Sequence, residues 1–415
     1  MAGDEHPSDG TCEGVHAVRS VALLTPVWGR SGGVATHVKA SATALAAHGI
    51  DVHVLAARIH SDVPVAGVTL HDRPDLLNPR APLPARLGAA ISVQPDVFHI
   101  HQVDDLEMTR ALRQSAPVVT SAHGYPGCTS GVHYFAPGEE CPRAHGPGCI
   151  PNLIARGCAH TRHRKTLPLK YLNVSRGLAA LAACDLAVSY SATIDRHLAA
   201  NGLRRRAIVP LFPTLEPGEP PGAPARQRVL FAGRVEPAKG VDVLLRAAGR
   251  LDCELVICGE GRQLPAMRAL AERLGLRGRV RFAGWLEPAQ LALELAAATV
   301  VAVPSLWPEP FGLVGIEALA LGRPVVASAT GGIGDWLTDD VGVGVRPGDA
   351  DELAAALRAL LEDPDRGREM GAAGRRLVAE RFSPERHVQR LLEAYREARS
   401  AWGAQAPAAL TRGAG

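Results

Sequence analysis

The sequence predicts an α/β protein of two Rossmann-like, parallel-sheet domains facing across a cleft, and three observations carry that prediction. Short apolar, β-like runs alternate with Ala/Leu-rich helical stretches, the pattern of strands joined by helical crossovers. A proline-dense segment, PLFPTLEPGEPPGAPA (210–225), interrupts the alternation, which then begins again. The length, 415 residues, suits two domains of about 200 residues each.

In the first half, strands are expected at 18–24, 51–56, 97–101, 118–121 and 185–189, with helices at 34–48, 105–114 and 169–183. In the second half, strands are expected at 228–232, 254–258, 279–282, 299–303 and 324–327. Closing helices follow at 349–361, 364–381 and 384–400. The domains are therefore drawn at 17–210 and 226–383, with a stiff linker at 211–225 and a last helix, 384–400, packing back toward the first domain. Residues 1–16 read as a disordered lead-in and 401–415 as a loose tail. Ligands of such folds sit where strand C-termini meet the cleft.

Composition narrows the function classes. Hydrophobic residues at 47% and charged residues at 21% exclude wholesale disorder. A net charge of +3 gives no electrostatic case for a nucleic-acid partner. No run of about 18 apolar residues suggests a membrane span. The opening MAGDEHPSDG is acidic and polar, so a secretory signal is not expected and a cytoplasmic location is. Only four of the 45 basic residues are lysines, which draws the eye to Lys239.

Chemistry-bearing residues concentrate at strand ends. In PSLWPEPFGLVGIEALALGRPVVAS (304–328), a loop holds Glu309 and leads into a helix, about 311–321, that is apolar on nearly every face. Its one charge, Glu317, needs a polar partner: the hydroxyls of a sugar or ribose, or a structural arginine such as Arg323. The helix start at Phe311, Gly312 and Leu313 offers amide donors to an anion. In VLFAGRVEPAKGVDVLL (229–245), Arg234 as a planar fork and Lys239 as a point charge together suit a diphosphate. Gly32 and Gly33 after the first strand allow close backbone approach, but the loop is not GxGxxG and no acidic residue is placed to hold a dinucleotide ribose.

These pieces resemble glycosyltransferase family 4, whose fold is GT-B. The likeness rests on Gly32–Gly33, Gly233–Arg234…Lys239–Gly240, Arg281–Phe282–Ala283–Gly284, Glu309-x7-Glu317 within PEPFGLVGIEAL, and the following GRPVVAS and Gly331–Gly332. It is close throughout the second half and holds only in outline in the first. The resemblance implies a retaining transfer of sugar from a nucleoside-diphosphate sugar, UDP favoured, with no cofactor and no catalytic metal required. It implies that Arg234 and Lys239 hold the diphosphate, Glu317 the ribose, and Glu309 with the backbone of Phe311, Gly312 and Leu313 the donor sugar and phosphate. Gly32 and Gly33 would approach from the other domain, and His123 in VVTSAHGYPG would orient the reacting groups near the sugar. His101 is an acceptor-side candidate, whereas His99 is assigned to the opposite strand face and to packing. The acceptor expected is a hydroxyl on a small polar natural product, such as an aminocyclitol in antibiotic biosynthesis, or on a cell-envelope glycan. A GT-B-shaped nucleotide-sugar 2-epimerase and a non-catalytic sugar-nucleotide binder are the competing readings.

One segment, 124–165, departs from the family outline. It carries Cys128, Cys141, Cys149 and Cys158 at spacings x12, x7 and x8. Structural zinc on these four, free buried thiols and a disulfide stay open as readings, because no CxxC is present and a reducing cytosol disfavours disulfides. The run His160–Lys165 and Arg204–Arg206 could meet an acceptor phosphate or, by peripheral contact, an anionic membrane; solvated faces are the other reading.

Overall fold

A computed structural model describes residues 18–29, 32–60, 64–131, 133–136, 138–155, 167–215 and 227–404. The lead-in, most of the 211–225 linker, most of the tail, Cys158 and the run 160–165 lie outside the described residues.

Two parallel sheets form the frame. The first contains β1 (Ser20–Thr25), β2 (Asp51–Ala56), β3 (Val68–Asp72), β4 (Val97–His101), β5 (Val118–Ser121), β8 (Leu186–Ser189) and β9 (Arg206–Ile208). A small antiparallel hairpin, β6 (Tyr134–Ala136) and β7 (Glu139–Glu140), lies between β5 and β8 in the chain. The second sheet contains β10 (Arg228–Ala232), β11 (Glu254–Cys258), β12 (Val280–Gly284), β13 (Val300–Val303), β14 (Val325–Ser328) and β15 (Gly342–Val345). The strand orders are β3-β2-β1-β4-β5-β8-β9 and β12-β11-β10-β13-β14-β15. In each sheet the order reverses beside the first strand, and such a switch point opens a crevice at the strand C-termini.

The central strands β4, β5, β8, β13 and β14 are buried at every residue. Burial on both faces explains why they read in the sequence as unbroken apolar runs rather than alternating ones. Three strands of the large sheets were not expected. β3 is an edge strand of VTLHD with no fully buried residue. β9 has three residues, and β15 is GVGV, whose glycines disguise it.

The last helix, Pro384–Gly403, is set by Ser383, whose side chain caps the Arg386 amide, and by a proline in its first turn. It leaves the second domain and packs on the first. Arg399 pairs with Asp96 at 2.6 Å, the Trp402 indole donates to the Arg113 carbonyl at 2.7 Å, and the Tyr395 hydroxyl meets His99 at 2.8 Å.

Candidate functional site

The second domain supplies charges. After β10, Arg234 is exposed, and its guanidinium has no hydrogen bond or ion pair among the described residues. Lys239 ends a short turn, Pro237–Lys239, that closes on Gly240 at φ 65°. A Cβ at Gly240 would lie 2.0 Å from the Pro304 carbonyl oxygen, so glycine alone lets this turn lie against the loop leaving β13. That contact delivers Lys239 Nζ to Glu309 Oε1 at 2.6 Å, with the Ser305 hydroxyl donating to the same oxygen at 2.5 Å. Lys239 also stands 5.5 Å from the centre of the Trp307 ring. Glu309 is 4% exposed. Burial pushes its carboxyl up, but Lys239 and Ser305 outweigh that and hold it below the usual range, so it is ionised.

The backbone of Glu309 is clamped as well. Glu309 and Gly331 form a parallel bridge, and the Gly332 amide donates to the Glu309 carbonyl at 2.6 Å. Gly331 has φ 63°, and a Cβ there would lie 2.4 Å from the same carbonyl, so the GG pair is required by close approach. The helix that follows spans Leu313–Ala320, starting two residues later than expected, with Gly312 as its N-cap at φ 80°. Phe311 is buried and its carbonyl accepts from the Trp336 indole at 2.7 Å, while Gly312 and Leu313 remain partly exposed.

Glu317 lies inside that helix, 7% exposed. Within the protein its polar partner is Thr214 rather than Arg323: the Thr214 hydroxyl donates to Oε1 at 2.8 Å. The Arg323 guanidinium instead donates to the Ala296 carbonyl. Burial raises Glu317 to about 7 despite the Thr214 bonds. Near neutrality it is therefore poised between acid and carboxylate, and any ligand that donates to it would draw it toward the charged form.

The first domain supplies neutral rings. His123, just beyond β5, is half-buried, and its Nε2 meets His101 Nδ1 at 3.0 Å and the Tyr190 hydroxyl at 3.3 Å. Burial lowers it to about 3, so it is a neutral imidazole. His101 is 1% exposed, with Nε2 unpartnered. It backs His123 from inside the fold. His99 requires correction. Strand side chains alternate, so residues 99 and 101 share a face, and their rings stand 4.1 Å apart. His99 is packed, bonded to Tyr395 and Ser121 at 2.8 Å each. His37 and His387 complete the cluster, with Ser41 bridging toward His387 at 3.1 Å. The Gly32–Gly33 loop opens the helix Gly33–Ala47; Gly32 has φ 91° and a Cβ there would meet nothing within 4 Å, so its need for glycine is conformational, not steric.

The 124–165 segment joins the two halves, which its sequence did not reveal. Glu140 of β7 accepts from the Thr330 hydroxyl and the Gly331 amide, each at 3.1 Å. Tyr125 is buried, with its hydroxyl unpartnered, and Glu140 and Glu309 add to the upward shift that burial imposes on it. Cys128, Cys141 and Cys149 are free thiols. Among the described residues no three His, Cys, Asp or Glu side chains stand close enough to hold a metal ion, and no helix is long and apolar enough to cross a membrane.

Two family models match the chain: Glycosyltransferase Family 4 over residues 31–213 and Glycosyl transferases group 1 over residues 220–377. A D-inositol 3-phosphate glycosyltransferase of Segniliparus rotundus is 42% identical over 200 residues, 46% of this chain and 44% of that protein. A protein of the same name from Xylanimonas cellulosilytica is 38% identical over 231 residues, 52% of this chain and 54% of that one. The chain thus spans about half the length of the curated relatives it matches. Sucrose-phosphate synthase from Thermosynechococcus elongatus superposes with a TM-score of 0.67 at 23% identity, covering 92% of this chain and all (100%) of that one. Anabaena Alr3699/HepE, solved in complex with UDP and glucose, gives 0.63 at 18% identity, covering 91% and 99%. These two superpositions establish the GT-B fold.

Proposed function

The chain belongs to glycosyltransferase family 4, and we propose that it moves a sugar from a nucleoside-diphosphate sugar, UDP favoured, to a hydroxyl of a small polar acceptor. One observation carries the proposal: an ionised Glu309 that holds Lys239 by an ion pair at 2.6 Å, in the same domain as an exposed Arg234 whose guanidinium makes no hydrogen bond among the described residues. A lysine pinned by a buried carboxylate cannot swing into solvent, so its remaining N–H groups are pre-aimed at an anion. Such fixed donors stabilise charge as it develops, without reorganising at the moment of reaction.

The reaction then follows from these residues. Arg234 and Lys239 receive the diphosphate, and the amides at Gly312 and Leu313 add the positive end of a helix. Glu317 accepts from the ribose hydroxyls in place of Thr214. As the bond between the anomeric carbon and the phosphate oxygen breaks, the departing diphosphate gains negative charge that the two cations offset. The acceptor oxygen attacks the same face of the sugar, and its proton passes to the departing phosphate. His123, kept neutral by burial and held by His101 and Tyr190, orients a sugar hydroxyl rather than acting as a cation. Same-face transfer keeps the anomeric configuration.

The name carried by the curated relatives makes D-inositol 3-phosphate the first acceptor to test. Incubation with a UDP-hexose and that acceptor is expected to release UDP and give a glycoside whose anomeric proton coupling matches that of the donor. Inverted product would overturn the same-face step. Failure to release UDP with or without acceptor would overturn the transferase reading.

A further inference from the structure

We propose that the 124–165 segment carries a structural site for a soft divalent cation of the zinc class, built from the thiolates of Cys128, Cys141 and Cys149 with the His133 imidazole. All four line a single cavity of about 30 Å³, together with Arg143, Gly127 and Asn152. That volume is ample for one ion. The four side chains come from three different places: the turn after Tyr125, the two ends of the small hairpin, and the start of the helix Cys149–Ala155. Three thiols and an imidazole are a recurrent tetrahedral zinc set. With the metal they sum to one negative charge, and Arg143 on the same wall offsets it.

The segment has reason to need such a clip. Among its described residues the regular structure is a strand of three residues, a strand of two and a helix of seven. Among its described residues, Tyr125 and Cys128 join the apolar cluster beneath it. Small units with little regular structure are commonly tied by metals or disulfides. Among the described residues, His133 is one of three non-glycine residues with positive φ, at 56°, a conformation that must be held by its surroundings. As placed, the four groups surround the cavity without standing at ligand spacing. A cysteine reaches inward by turning one torsion, and binding draws such groups together.

The position of the cavity gives the metal a consequence. Cys141 directly follows Glu140, the residue that holds Thr330 and Gly331 of the opposite domain. A cation at Cys141 therefore fixes the strut that crosses the cleft. The site itself stands whether or not the chain transfers sugar.

The test uses the full chain, purified with reductant, stripped by a chelator and titrated with Zn²⁺ alone, then with Co²⁺ alone. The expected result is one equivalent of tightly held zinc and thiolate-to-cobalt charge transfer that falls in equal steps in Cys128→Ser, Cys141→Ser and Cys149→Ser. X-ray absorption should show three sulfurs at about 2.3 Å and one nitrogen at about 2.0 Å. Metal loss should also expose the segment to limited proteolysis while the second domain resists. Four sulfurs and no nitrogen would overturn the role of His133. No bound zinc, with all thiols still titratable, would overturn the site. So would an intact mass short by two hydrogens, which means a disulfide. Should a serine variant fail to fold, His133→Asn, read by zinc stoichiometry and cobalt spectrum, keeps the test open.

Discussion

The two halves of this molecule use one architecture to opposite electrostatic ends. Each is a parallel sheet whose strand order reverses beside its first strand, and each aims its strand C-termini at the cleft. At those ends the second domain places Arg234, the Lys239–Glu309 pair and the half-titrated Glu317. The first, with the last helix packed on it, gathers five histidines, His37, His99, His101, His387 and the half-buried His123, which desolvation holds neutral. The contrast teaches a division of labour: charge is concentrated where a diphosphate must be received, and neutral, rigid polarity where an uncharged hydroxyl must be steered.

The largest effect should come from breaking the ion pair. Lys239→Met leaves Glu309 buried and unpaired, which costs about 3–5 kcal/mol in chemical denaturation. Adding Glu309→Gln should restore most of that stability but not turnover, which should stay down by about 10²–10³-fold. Wild-type stability in Lys239→Met would show that the pair is not holding the loop.

The histidine half should break next, and by acid. Its folded pKa values are depressed, so the folded state binds fewer protons than the unfolded one. The stability this confers is complete above about pH 6.5 and drains as pH falls toward 3–4. Each neutral-held ring loses about 1.4 kcal/mol per pH unit in that window. Calorimetry at pH 7.5 and 5.5 should show a steep fall, made shallower by His101→Asn. A flat profile would mean that the rings protonate freely.

Glu317 runs in the opposite direction. Its folded pKa is raised, so the ligand-free protein loses stability as pH climbs from 4.5 to about 7. Glu317→Gln should stabilise the ligand-free chain at pH 8 by up to about 3 kcal/mol, do nothing at pH 4, and weaken UDP binding about tenfold. Tighter UDP binding in the variant would remove Glu317 from the ribose. The smallest effect belongs to the strut: Glu140→Ala should leave melting within about 1 kcal/mol and raise the donor KM a few fold, because one of the bonds it loses is exposed and the other only part-buried.

The buried strands were legible because burial on both faces writes an apolar run into the sequence; five of the ten expected strands keep their bounds, among them 51–56, 97–101 and 254–258. β3, β9 and β15 were not legible, being respectively half-exposed, three residues long and glycine-rich. Within the site, Arg234, Lys239, Glu309 and Glu317 stood out because charges beside apolar runs need reasons. Their partners did not. Thr214 is 103 positions from Glu317, and Glu140 is 191 from Gly331. Only the fold brings such pairs together, and nothing local marks Thr214, Tyr125 or Glu140. The misplacement of His99 was an error of strand parity, not of information.

The central claim is that the charged half receives a nucleoside diphosphate, and titration calorimetry with UDP on the wild type and Arg234→Ala tests it most directly. Arg234 is exposed and its guanidinium makes no hydrogen bond among the described residues, so its loss should leave the melting temperature nearly unchanged. The account predicts that the wild type binds UDP and that Arg234→Ala binds it about 10–100-fold more weakly. Equal affinity in the two proteins, or no UDP binding in either, would contradict it.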